Sequence, residues 1–231
     1  MSGAKMEPGA CQACPGSCPF RRELEAPAFS RLVRDVVPRR FDAHSPILFE
    51  GEPAHSTRCV RSGHVKEMRS GRRGEDVILR ILGPGAALGL GEVLSGDLYA
   101  TTVETLGPVE ACTIPAQTVR EAVEESPRFG LALLKMLAVE LREAQDERLR
   151  RTEDSVWRRT ARALLRLSSA SSEVVLPIRR IELAQWIGTT PETLSRTLHA
   201  MEGKGWVDVD RVHIVVRDRS RLRRAAGERV A

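Results

Sequence analysis

The chain has 231 residues, enough to bury a hydrophobic core without disulfide staples, in one large domain or two small ones. Hydrophobic residues make up 42% and charged residues 29%, which excludes a disordered tail protein, and with aromatics at only 4% the core must rest on Leu, Val, Ile and Ala. Lys and Arg number 36 against 31 Asp and Glu, a formal net charge of +5 that permits a nucleic-acid partner without demanding one.

Five cysteines are too few for a disulfide scaffold, and residues 1–9 contain no apolar signal-like run. No stretch approaches the roughly 18 consecutive apolar residues of a membrane helix. The expectation is a cytoplasmic protein with reduced thiols and no membrane partner.

Residues 1–20 are rich in Gly, Pro, Ala and Ser and lack any helix or strand period, so they read as an arm. The arm carries Cys11, Cys14 and Cys18, whereas Cys59 and Cys112 stand alone. Residues 21–125 read as a sensor domain. Short β-like pieces at 46–49, 59–60, 65–68, 77–79, 81–82, 101–103 and 111–114 alternate with turn markers such as Gly51-Glu52-Pro53, Ser62-Gly63 and Gly83-Pro84-Gly85. This texture predicts a compact antiparallel sandwich or barrel.

The pattern turns helical at Pro115, with a short helix over 116–125. A long helix over 126–154 follows, with Ser126 as N-cap and Pro127 in the first turn. Leu131, Leu134, Leu137, Leu141 and Ala144 draw one apolar stripe at a spacing near 3.5 residues, a candidate dimer seam. The stripe fades over residues 145–151, which are polar apart from Leu149, as suits an adjustable seam.

A second domain is expected over 155–231. An amphipathic helix carries Val156, Trp157, Ala161, Leu164, Leu165 and Leu167. A short helix over 181–187, a turn at Gly188-Thr189-Thr190 and a helix opening Pro191-Glu192-Thr193 come next. Hairpin strands over 206–209 and 212–216 complete the pattern of a winged helix-turn-helix. Residues 177–231 hold eleven Lys and Arg against seven Asp and Glu, so this quarter carries +4 of the charge, as phosphate contacts require. On the second helix Arg196 can pair bidentately with guanine, Glu192 can accept from a cytosine amino group, and Ser195 can meet either kind of base edge.

Taken together, the β-rich half, the long helix and Glu192-Thr193-Leu194-Ser195-Arg196 resemble the CRP/FNR superfamily of bacterial regulators, from about Cys11 to the wing. The resemblance implies an α+β fold: an N-terminal antiparallel β-roll of the cyclic-nucleotide-binding kind, a long dimerisation helix and a C-terminal winged helix-turn-helix. Glu-x-x-Ser-Arg is the pattern of the FNR branch, whose members read an inverted repeat with a TTGAT-like half-site. It implies that Glu192, Ser195 and Arg196 read bases, that a homodimer paired through Leu134, Leu137, Leu141 and Ala144 binds a palindromic operator on double-stranded DNA, and that RNA polymerase is a partner. Where the cyclic-nucleotide branch carries an Arg-Ser pair for the phosphate, this chain has Ala100-Thr101, so no cyclic nucleotide is expected.

Three close thiols suit an iron–sulfur cluster or zinc, and a four-cysteine site needs one more ligand, Cys59 or Cys112. Cys112, in Glu110-Ala111-Cys112-Thr113-Ile114-Pro115, matches the strand that carries the distant ligand in oxygen-sensing FNR proteins. Cys18-Pro19-Phe20 matches the end of their cysteine arm, although the gap of three residues before Cys18 is shorter than in enteric members. The implied cofactor is therefore a 4Fe-4S cluster on Cys11, Cys14, Cys18 and Cys112, with Cys59 a buried core thiol. The implied function is a transcription regulator that dimerises and binds DNA when oxygen is absent. Zinc binding or thiol-based redox sensing by the same cysteines is the alternative. In that branch an acidic seam residue opposes dimerisation without the cluster. The matching position here is Ala144, which leaves Arg148 as the nearest source of repulsion. An enzyme finds no support: there is no Ser-His-Asp pattern, P-loop or dinucleotide fingerprint, and the five histidines are scattered.

Overall fold

The computed structural model describes residues 20, 32, 34–71, 74–168, 178–210 and 213–228; Cys11, Cys14 and Cys18 lie outside them. The chain forms two compact units, divided between Arg142 and Glu143.

The first unit contains strands β1 (Val37–Phe41), β2 (Pro46–Leu48), β3 (Ser56–Ser62), β4 (Val65–Ser70), β5 (Asp76–Leu82), β6 (Ala87–Leu88), β7 (Thr102–Thr105) and β8 (Val109–Pro115). They build two four-stranded sheets in the orders β1-β8-β3-β6 and β2-β7-β4-β5, antiparallel at every pairing between them. This is the antiparallel roll expected of the pattern of short strands. The pieces at 77–79 and 81–82 are one strand, because Arg80 between them stays paired with Glu67. β1 escaped the sequence pattern: Val-Pro-Arg-Arg-Phe is polar and contains Pro38, which an edge strand accepts because one row of its N–H groups needs no partner.

A short helix, α1 (Leu90–Ser95), which the sequence pattern did not indicate, follows β6. Gly89 precedes it at φ +69, and a Cβ there would lie 2.6 Å from Tyr99 Cε1, so glycine alone fits the position. After β8 come α2 (Ala116–Glu125) and the long α3 (Pro127–Glu153), within a residue or so of their expected bounds. Ser126 accepts from the Phe129 N–H at 3.3 Å, the predicted N-cap. One apolar cluster joins Ile47, Leu48, Val65 and Val103 of one sheet to Cys59, Val60, Ala111, Cys112 and Ile114 of the other. Val119 of α2 and Phe129 and Leu133 of α3 complete it, so both helices are seated on the roll by their buried faces.

The second unit holds α4 (Val156–Leu167), α5 (Arg180–Ile187), α6 (Pro191–Glu202), β9 (Val207–Val209), β10 (Ile214–Val216) and α7 (Arg219–Ala226). Ala161, Leu164, Leu183, Leu194, Leu198, Met201 and Leu222 are essentially fully buried and form its core. Trp157 meets Trp206 edge-on, with ring centroids 5.3 Å apart, which packs the wing's first strand toward α4. The hairpin aligns Val207 with Val216 and Val209 with Ile214. α7 was not foreseen. Its apolar residues, Leu222, Ala225 and Ala226, are too few among four arginines to show a period, yet Leu222 and Ala226 are buried. Asp218 caps it by accepting from the Arg221 N–H at 2.9 Å. No helix among the described residues is long and apolar enough to cross a membrane.

Asp154, between α3 and α4, locks this unit electrostatically. It accepts from Arg162 at 2.7 Å and Arg158 at 3.3 Å, and Arg162 also donates to the Ala226 carbonyl at 2.9 Å. Burial alone would raise the Asp154 pKa, but the hydrogen bonds and charges of Arg162 and Arg158 outweigh it and hold the carboxyl below its ordinary value. A carboxyl depressed in the folded state adds stability above its unfolded pKa, and that stability fades as pH falls through the folded value. Asp154→Asn is expected to cost about 1.5–3 kcal/mol at neutral pH. It should flatten the loss of stability below about pH 4. Urea denaturation between pH 7 and pH 3 checks both.

Candidate functional site

The helix-turn-helix is set by local chemistry. α5 ends at Gly188, whose φ of +69 lets the chain reverse. Thr190 caps α6 by accepting from the Thr193 N–H at 3.2 Å, and Pro191 takes the first turn. Leu194, Leu198 and Met201 are completely buried, which turns the opposite face of α6 outward. That face carries Glu192, Ser195, Arg196 and His199, and together with Pro191 they line one shallow open depression. The three predicted base-reading residues are thus brought together.

His199 joins them at the next step of the 3–4 spacing. It was visible on that face of the sequence but not assigned a role. Its Nδ1 donates to the Ser195 carbonyl at 2.8 Å, which leaves Nε2 as the nitrogen presented outward. Glu192 is held below the usual carboxylate range, first by the hydrogen bond from its own backbone N–H, then by the Thr190 hydroxyl and the Arg196 charge. The face therefore presents a permanent anion able to accept from an amino group beside a guanidinium able to donate in a fork, the two groups needed to read both bases of a G·C pair.

In the roll, Thr101, next to Ala100, joins a network of charged side chains. Glu67 is largely buried. It accepts from the Thr101 hydroxyl at 2.9 Å and from Arg80 Nε at 2.6 Å. Arg80 reaches on to Glu140 of α3 at 3.7 Å. Burial opposes the Arg80 charge, but the hydrogen bond and charge of Glu67, with help from Glu140, hold its proton more tightly than usual. Thr101 and Arg80 are thus both engaged by one carboxylate, that of Glu67.

Of the four proposed metal ligands, only Cys112 lies among the described residues. It sits on the central strand β8, 4% exposed. Directly opposite it on β3 is Cys59, 1% exposed. Sequence spacing had treated Cys59 as an unrelated core thiol, since nothing linear relates positions 53 residues apart. Phe20, two residues after Cys18, is also buried, with its ring 5.9 Å from that of Phe129. On α3, Leu131, Leu134 and Leu141 are more than half exposed, Ala144 is exposed and Leu137 is half-buried, so most of the predicted seam is uncovered by the described residues.

Comparison with known proteins matches residues 38–126 to the cyclic nucleotide-binding domain and residues 158–225 to the Crp-like helix-turn-helix domain, together more than half of the chain. The CRP-like cAMP-activated global transcriptional regulator of Mycobacterium tuberculosis is 25% identical over 210 residues, covering 88% of this chain and 94% of that protein. The anaerobic regulatory protein of Pasteurella multocida is 23% identical over 232 residues, covering 94% of this chain and 84% of that protein. Among solved structures, FixK2 from Bradyrhizobium japonicum shares the fold with a TM-score of 0.73 at 24% identity, over 85% of this chain and 98% of that one.

If Arg196 reads a guanine, Arg196→Ala relaxes preference at one base pair of each half-site by about 1–3 kcal/mol, with smaller effects elsewhere. Competition binding against singly substituted operators measures this. Because Glu192 stays ionised at every pH above the ordinary carboxylate range, the base preference that depends on it stays flat from about pH 8 to pH 5.

Proposed function

The chain belongs to the CRP/FNR family of transcription regulators, and we propose that it is an oxygen-responsive member whose DNA binding depends on a 4Fe-4S cluster held by Cys11, Cys14, Cys18 and Cys112. The observation that carries this reading is the burial of Phe20 in the same side-chain cluster that contains Cys112. Cys18 precedes Phe20 by two residues, a separation that spans at most about 7 Å of chain. The donor set fits as well, since four thiolates are what such a cluster takes. When bound, it supplies an oxygen-labile tie between arm and roll.

The chain's own residues do the rest. Phe20 against Phe129 couples the end of the arm to the first turn of α3. Cys112, shielded from water on a central strand, offers a thiol where solvent has little access. The face of Leu134, Leu137, Leu141 and Ala144 pairs with a second copy, which sets two α6 helices about 34 Å apart for an inverted repeat. Glu192, Ser195 and Arg196, with His199 beside them, then read each half-site, and the bound dimer engages RNA polymerase.

Relatives of this chain include both a cAMP-activated regulator and an anaerobic one. Two observations favour the second. Ala100 stands where a phosphate-binding cation is needed, and Glu67 already occupies Thr101 and Arg80.

Protein purified without oxygen is expected to be coloured and to hold about four iron and four acid-labile sulfide per chain. Cys112→Ser should abolish this loading and Cys59→Ser leave it intact, while cyclic AMP leaves operator affinity unchanged. A colourless protein carrying one zinc would refute the cluster. In air, Arg148→Leu is expected to raise the dimer fraction by removing repulsion between like charges on the seam. An unchanged monomer fraction in sedimentation would sink that assignment of Arg148.

A further inference from the structure

Cys59 and Cys112 are direct cross-strand partners in the antiparallel β3–β8 pair, so both side chains leave the sheet on the same face. Directly opposed residues have Cα atoms about 4.5–5.5 Å apart, inside the range a disulfide spans. Their Cβ atoms start about 4.5–5.5 Å apart, whereas a disulfide holds them near 3.8 Å, so closing requires a small approach of the strands. A bond formed under that constraint is readily reduced, as suits a reversible device and not a structural staple.

We propose that Cys59 is the resolving thiol of Cys112: in the metal-free protein the two close to a reversible disulfide that protects Cys112 from irreversible oxidation. The oxidant is a peroxide. Cys112, the more exposed of the pair at 4% against 1%, attacks one peroxide oxygen as the O–O bond breaks. Its sulfur becomes a sulfenic acid, and the departing hydroxide takes the thiol proton and leaves as water. The Cys59 sulfur then attacks the Cys112 sulfur, the S–O bond breaks, and hydroxide leaves with the Cys59 proton as a second water. Two thiols lose two electrons and two protons, and one hydrogen peroxide becomes two waters. The bond itself needs no metal. Its consequence, that Cys112 is preserved for reloading, rests on the proposed function.

The test uses the full chain, stripped of metal, treated with hydrogen peroxide, alkylated and digested with trypsin without reductant. The expected product joins peptide 59–61 to peptide 81–120 at a mass two hydrogens below their sum, and dithiothreitol separates them. In Cys59→Ser, or in Cys59→Ala if the serine variant folds poorly, Cys112 should run on to sulfinic acid. Iron loading after dithiothreitol should then be lost, while wild type recovers it. Finding Cys59 alkylated after peroxide treatment, or Cys112 linked only to Cys11, Cys14 or Cys18, overturns the proposal. If untreated wild type never loads iron but the 59–112 link forms, the cluster reading fails and the dithiol stands.

Discussion

The packing of Phe20 on Phe129 is the contact on which the proposed sensing mechanism depends. Both rings are essentially fully buried, and such a pair adds about 0.5–1.5 kcal/mol beyond the burial of its surface. Phe20 stands two residues after Cys18 in the sequence. Phe129 lies in the first turn of α3 and shares its cluster with Cys112. Phe20 therefore packs into the cluster shared by strand β8 and the first turn of the long helix.

A ligand-binding roll needs an open polar site and a cation for a phosphate. Here Glu67, Thr101, Arg80 and Glu140 satisfy one another, linking β4, the start of β7, β5 and α3 by charge and hydrogen bond. Removing one member would leave a largely buried partner unpaired, which is far more costly than replacing the group as a whole. The network thus fixes α3 to the roll with groups that belong to the chain. Under the proposed function, control passes from that position to the cysteines on the other sheet.

The DNA-binding unit divides its work by burial. Leu194, Leu198 and Met201 anchor α6 and allow its other face to carry an anion, a hydroxyl, a guanidinium and an imidazole at helical spacing. The charge of Glu192 is sustained by its place at the helix start, where free backbone N–H groups favour a carboxylate. Asp154 and Arg162 tie the entrance of the unit to the end of α7, so the C-terminal helix takes part in the support of the fold.

Composition, turns and helical spacing were enough to read an antiparallel β domain, the long helix, the helix-turn-helix and the face that holds Glu192, Ser195 and Arg196, while the resemblance supplied the roll. Each of those signals is local: a cap, a proline, a glycine turn or a period of 3.6 repeats within a few residues. Strand β1 and helix α7 escaped because edge position and burial of one leucine, not periodicity, hold them in place. The opposition of Cys59 to Cys112, the seat of Phe20 on Phe129 and the Glu67–Arg80–Glu140 network came from folding alone. Sheet register and side-chain packing join residues far apart in the chain, and no linear spacing encodes which of them will face each other.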